Sequence, residues 1–208
     1  MFEIRQCTHP DCNLRMPIDP TVHKGSFCPR CGAPMILAVS SFQHRGTSGR
    51  NLPERHLSVL LDNIRSANNV GAIFRTADGI GAAHLYLCGI TPNPTANTAL
   101  QKTALGAEID VPWSVHLNAL NLVQDLRAQG CFILALETTP TSQPIFETVL
   151  HKTGPQPILL VVGNEKAGVD PGLLDLCDLC LSVPMAGEKA SLNVAVAFGI
   201  AAYWLAYA

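Results

Sequence analysis

The chain has 208 residues, 48% of them hydrophobic and 14% charged, with a formal net charge of −2. That composition supplies a well-filled core for one domain plus a small appendage and leaves a sparsely charged surface, part of which an oligomer would bury; it excludes a low-complexity chain and does not announce a nucleic-acid binder by charge alone. The charge is uneven: residues 1–55 hold seven Lys/Arg and four Asp/Glu, a net of +3, whereas residues 56–208 hold seven and twelve, a net of −5, so a polyanion would be gripped near the N-terminal end.

The first residues, Met1-Phe-Glu-Ile-Arg-Gln-Cys7, contain no apolar leader run, and a cytoplasmic protein is expected. Residues 1–38 then carry Cys7, Cys12, Cys28 and Cys31 in the spacing C-x4-C-x15-C-x2-C. The Cys28-Pro-Arg-Cys31-Gly half is a tight turn that aims two thiolates at one ion, with backbone N–H groups free to steady the sulfurs. So short a segment has too little core to fold unaided, and tetrahedral zinc on the four thiolates would supply what is missing. Free thiols, two disulfides and a rubredoxin-like iron site are the alternatives. His9 and His23 stand nearby, but four thiolates already fill the shell. Residues 39–55 are polar, basic and rich in Gly and Ser, a linker that would touch a polyanion.

Apolar runs begin at residue 56. His56–Asp62, His84–Cys88, Cys131–Leu136, Pro157–Val162 and Leu181–Met185 read as strands, the fourth buried on both faces because its run is continuous. Between them lie a helix opening at Asn69 through Val70, Ile73, Phe74 and Ala77, and another over 118–128 capped by Asn118, with Leu117, Leu120, Val123 and Leu126 on its apolar side. Asn193 to Tyr207 is the final helix. Ala190–Ala208 carries no charge, but Ser191 and Asn193 interrupt it, so a buried or dimer-interface helix is expected there and not a membrane span. Strands alternating with helices imply a parallel sheet covered on both faces.

Three polar clusters fall where such a sheet places its chemistry, at strand ends and helix starts. Asn69-x-Gly71-x-x-x-Arg75 opens a helix: Asn69 can cap it, Gly71 allows close backbone approach, and Arg75, on an otherwise apolar segment, needs an anion, an exit to solvent or an ion pair with Asp78. Gly163-Asn-Glu165 follows the buried strand and is either a ligand-binding turn or an ordinary polar one. Val183-Pro-Met185, then Ser191-Leu-Asn193, close the last strand and cap the last helix. Gly79-Ile-Gly81 precedes a strand, so it is no dinucleotide fingerprint, and there is no phosphate-binding Walker sequence. His56, His84, His116 and His151 read as isolated structural or surface residues. Cys88, Cys131, Cys177 and Cys180 read as buried small hydrophobes.

With Thr103-Ala-Leu-Gly-Ala-Glu108 added, these clusters stand in the order found in the SpoU/TrmH-type branch of the SPOUT RNA methyltransferases, which residues 56–208 resemble. The resemblance implies an α/β domain with a C-terminal trefoil knot, one of the rare exceptions to unknotted folding. It also implies a homodimer whose site is completed across the interface, and S-adenosylmethionine bound mainly through backbone groups at Gly163, Val183 and Leu192. The reaction implied is methyl transfer to a ribose 2′-hydroxyl of tRNA or rRNA. Arg75 would hold the acceptor's phosphate and stabilise developing alkoxide charge, while Asn69, Glu165 and Asn193 orient it and the substrate. A non-catalytic RNA-binding protein with a vestigial pocket, and a base-methylating SPOUT enzyme, are the competing readings. The cysteine ribbon is unusual beside such a domain; it would grip RNA through phosphates or dock a protein.

Overall fold

The computed structural model describes residues 2–41, 56–148 and 156–207. The chain divides into two compact units, residues 1–50 and 51–208. The first unit is an antiparallel three-stranded sheet of β1 (Glu3–Cys7), β2 (Arg15–Ile18) and β3 (Met35–Ser40), in the order β2-β1-β3. Its β3 runs through residue 40, two residues past the expected end of the ribbon; of the expected linker, residues 42–55 lie outside the described residues. Its buried cluster consists of Cys7, Cys28 and Met35, with Cys12, Leu14, Met16 and Ala33 partly packed on it. That is too little apolar surface to offset the ordering of the backbone.

The second unit starts with β4 (Leu57–Asp62), α1 (Ala67–Ile80) and β5 (His84–Cys88), followed by α2 (Thr98–Ala104), α3 (Ala107–Asp110) and β6 (Trp113–His116). It continues with α4 (Ala119–Ala128), β7 (Phe132–Leu136), the two-residue β8 (Gln143–Pro144) and β9 (Ile158–Val162), and ends with α5 (Pro171–Leu174), β10 (Leu179–Ser182) and α6 (Val194–Tyr207). The seven strands are all parallel, in the order β6-β5-β4-β9-β7-β10-β8. Every residue of β9 is buried, as its unbroken Ile-Leu-Leu-Val-Val run requires. On one face α1, α2, α3 and α6 pack over alternate residues of β4, β5, β9 and β7; on the other α4 and α5 cover Leu60, Ile133, Leu159 and Val161. This is the two-sided parallel sheet that the alternation of runs implies.

The periodicity of α1 explains its seat. Val70, Ile73, Phe74, Ala77 and Ile80 recur every third or fourth residue and are all buried. Its N-cap is Ser66, whose Oγ accepts from the Asn69 N–H, so Asn69 lies inside the first turn and is not the cap; Ser66 is the residue with extended backbone angles. Gly81 ends the helix in the left-handed conformation, at φ 65°. Gly71 has its close approach: a Cβ there would stand 2.6 Å from the Leu100 carbonyl oxygen of α2. Two sequence expectations shift. The last strand occupies Leu179–Ser182 and not Leu181–Met185, because Pro184 has no N–H to give a ladder. Leu117, expected on the apolar side of α4, precedes the helix and is 90% exposed.

Candidate functional site

The strand order reverses between β4 and β9: the chain moves outward from β4 through β5 to β6, and the later strands fill the other side. At such a switch point the loops after neighbouring strands diverge and open a crevice at the carboxyl rim of the sheet. Here the loop after β9 approaches the start of α1, and Glu165 ties them together. Its Oε1 accepts from the Ser66 N–H at 3.0 Å and the Asn69 Nδ2 at 2.9 Å, and its Oε2 accepts from the Arg65 N–H at 2.9 Å. Asn193 Nδ2 donates to Asn69 Oδ1 at 3.1 Å, while its own Oδ1 caps α6 by accepting from the N–H groups of Ala195 and Val196. The structure thus joins Asn69, Glu165 and Asn193, from three distant stretches of chain, in one hydrogen-bonded chain. Partial burial opposes charge on Glu165, but the backbone donors and the Asn69 amide outweigh it and hold the carboxyl below its ordinary value.

Beside this network lies a cleft of about 440 Å³, lined by the ends of β7, β9 and β10 and the segment entering α6. Gly163, Val183 and Leu192 all line it, as do Met185, Ser191 and Asn193. Gly163 is required by its surroundings, because a Cβ there would run into the backbone of Gly168 and Val169. Arg75 stands apart. It is exposed, six residues beyond Asn69 on α1, and faces a groove with Asp78, Leu105, Gly106, Ile109 and Asp110. At about 100° per residue its side chain leaves a different side of the helix, and the hydrogen bonds joining Asn69, Glu165 and Asn193 do not include it.

Two carboxylates that the motifs gave no sign of hold the loop 163–170. Glu137, immediately after β7, accepts from Thr138 N–H with Oε1 at 2.8 Å and from Val169 N–H with Oε2 at 2.9 Å. Asp62, buried at the end of β4, accepts from the Asp170 N–H at 3.3 Å and the Asn63 amide at 2.7 Å; burial and the neighbouring Asp170 push its carboxyl up. Neither residue belongs to a short pattern; only the strand register shows that both face one loop. His84 and His116, expected to be isolated, are not: the β5–β6 register puts Ser114 between them, with each Nε2 2.8 Å from its Oγ and Tyr86 packed against both rings. His151 lies outside the described residues.

In the first unit the sulfurs of Cys7, Cys12, Cys28 and Cys31 lie within 4.8 Å of one another, with Cys7–Cys31 at 3.5 Å and Cys12–Cys28 at 3.7 Å. Four sulfurs at about 2.3 Å from a tetrahedral zinc would be about 3.8 Å apart, so the set fits that ion. The N–H groups of His9 and Arg30 point at Cys7 and Cys28 Sγ, each at 3.4 Å. Burial disfavours the Cys28 thiolate, but N–H groups of Arg30 and Cys31 bring this thiol down to about 7, whereas Cys12 and Cys31 are shifted upward. His23 does not join the set; its Nδ1 accepts from Gly25 N–H. The four later cysteines behave otherwise. Burial pushes Cys88 and Cys177 up to about 12 and Cys131 to about 11; Cys88 is buried as expected, whereas Cys131, Cys177 and Cys180 are only half-buried.

Residues 56–203 match the model of the SpoU rRNA Methylase family. The chain is 31% identical over 150 residues to the 23S rRNA (guanosine-2′-O-)-methyltransferase RlmB of Neisseria meningitidis, covering 72% of this chain and 58% of that protein. It is 34% identical over 162 residues to the 23S rRNA (guanosine(2553)-2′-O)-methyltransferase RlmP of Bacillus subtilis, covering 74% and 62%. Among solved structures, the AdoMet-bound rRNA methyltransferase of Sinorhizobium meliloti superposes with a TM-score of 0.65 at 28% identity, over 74% of this chain and 57% of that one. The chain therefore spans about three-fifths of the length of these relatives. On the match over residues 56–203 and these identities, the chain belongs to the SpoU rRNA methylase family.

Proposed function

We propose that this chain is an S-adenosylmethionine-dependent RNA methyltransferase that modifies a ribose 2′-hydroxyl in tRNA or rRNA. The observation that carries the reading is the Asn69–Glu165–Asn193 network at the rim of a cleft lined by Gly163, Val183 and Leu192. The cleft lies at the carboxyl ends of β7, β9 and β10, where main-chain groups leave the sheet ladder, which suits a cofactor recognised through main-chain groups. S-adenosylmethionine would supply an electrophilic methyl group, so the protein has to align the acceptor and help its proton leave. Arg75 is assigned the acceptor's phosphate and the developing alkoxide charge. Asn69, Glu165 and Asn193 fix the start of α1 and the entry to α6, and so position the substrate.

Because Arg75 lies outside that network, the reading includes a homodimer in which Arg75 of a second copy completes the cleft. Val196, Tyr203 and Tyr207 support it: they are exposed, fall on one stripe of α6, and Tyr203 stacks on Tyr207 at 5.9 Å. The C-terminal trefoil knot and a cytoplasmic location belong to the same proposal; among the described residues no helix is long and apolar enough to cross a membrane. The ribbon, residues 1–38, would carry a structural zinc on Cys7, Cys12, Cys28 and Cys31, and with residues 39–55 grip RNA phosphates ahead of the domain at 56–208.

The test is incubation with methyl-labelled S-adenosylmethionine and unmodified tRNA or rRNA, followed by nucleoside analysis. A labelled 2′-O-methylnucleoside is expected, with Arg75→Ala lowering its rate by 10² or more, the scale of one lost transition-state donor. Labelled base would overturn the ribose assignment, and no label in either RNA class would favour a binding protein with a vestigial pocket.

A further inference from the structure

The cleft contains a carboxylate to which neither the family motifs nor the proposed chemistry assigns a part. Glu137 follows the last residue of β7, and the β7–β9 register pairs Leu136 with Val162, which sets Glu137 beside Gly163 at the carboxyl rim. Glu137 is among the residues that line the cleft, and each of its carboxylate oxygens accepts one backbone N–H, from Thr138 and from Val169. A carboxylate offers about two acceptor sites per oxygen, so each oxygen keeps one in hand. The loop backbone lies so close that a Cβ on Gly168 would stand 2.5 Å from Glu137 Oε2. The side chain is thereby held in one orientation on the cleft wall.

We infer that Glu137 reads the vicinal hydroxyls of the cofactor's ribose, accepting from them with the sites the loop leaves open. The inference rests on the cleft's being the S-adenosylmethionine site. A vicinal diol presents two donors side by side, and a carboxylate edge presents two acceptors side by side; this pairing is charge-assisted and geometrically specific. The two N–H bonds make the arrangement pre-organised, so the cofactor meets an oriented acceptor and does not have to order it. The same bonds make Glu137 a positioning residue for the loop 163–170, and the experiment has to separate the two roles.

Binding of S-adenosylhomocysteine and of its 2′-deoxy and 3′-deoxy analogues is measured by calorimetry on the full wild-type chain and on Glu137→Gln. Wild type is expected to lose about tenfold or more in affinity when a contacted hydroxyl is removed. Glu137→Gln is expected to bind the parent compound at least tenfold more weakly and to be nearly indifferent to the missing hydroxyl. An equal deoxy penalty in both proteins would leave Glu137 with the loop alone and overturn the inference. A loss in Glu137→Gln that disappears with 5′-methylthioadenosine, which has no amino-acid tail, would move Glu137 to the ammonium group and overturn it too. If Glu137→Gln does not fold, Glu137→Asp serves: it keeps the charge but retracts the oxygens, and its deoxy penalty should fall below the wild-type value. Failure of wild type to bind S-adenosylhomocysteine at all would instead sink the cofactor reading.

Discussion

The two units of this chain solve the same problem by opposite means. Residues 56–207 bury an extensive set of aliphatic side chains on both faces of a parallel sheet, whereas the described part of residues 1–50 buries Cys7, Cys28, Met35 and little else. In the larger unit, order comes from many weak apolar contacts, each individually replaceable. In the smaller unit it would come, on the proposed reading, from a few strong bonds between the four cysteines and one ion. The comparison teaches that robustness to mutation and robustness to chemistry are separable: the sheet should tolerate chelators and resent cavities, and the ribbon the reverse.

Removing metal is the sharpest way to test that contrast. Structural zinc sites contribute about 10–16 kcal/mol of apparent binding energy that is also folding energy. A strong chelator, or Cys28→Ser, should therefore abolish amide protection in residues 2–41 while the thermal midpoint of the larger unit stays unchanged; simultaneous loss in both would break the comparison. Next in size is Leu160→Ala. Leu160 is fully buried in β9, and its truncation should cost about 2–5 kcal/mol by urea denaturation, with zinc content unaltered. Smallest is a pH effect at Glu165. Its folded-state carboxyl is depressed, so its contribution is present above the ordinary glutamate range and is lost as pH falls through the folded value. Unfolding profiles between about pH 5 and pH 3 should steepen in wild type relative to Glu165→Gln; parallel profiles would show that the carboxylate is not anchoring α1.

How far the residues foretold this structure differs by feature. Continuous or alternating apolar runs gave β4, β5, β7 and β9 to within a residue, because burial on a sheet leaves a strong periodic trace. The edge strand β6 and the short helices α2, α3 and α5 left none: Trp113–His116 is a short polar-apolar mixture, and α3 and α5 are four residues each. At the site, Asn69, Glu165 and Asn193 were legible because they belong to a recognisable order of motifs. Ser66 was not, since Ser-Ala-Asn-Asn offers several competent caps and only backbone angles decide among them. Glu137 and Asp62 were invisible for a deeper reason: each is a single acid at a strand end, and its role depends on a loop reached through a register that no local pattern encodes. The separation of Arg75 from Asn69 was computable from helical geometry, and only under the proposed dimer does it gain a meaning.

Gly163 carries a consequence for how such a protein could vary over time. Every other amino acid adds a Cβ, and at this position that atom meets the backbone of Gly168 and Val169, which cannot swing aside as a side chain would. A library of single-codon changes selected only for soluble expression, with no demand for activity, should already be depleted at residue 163. The position would therefore look like a functional hot spot in any fitness map even if the cleft did nothing, and only the exposed neighbours that line the cleft, Met185 and Ser191 among them, could report selection for the ligand itself.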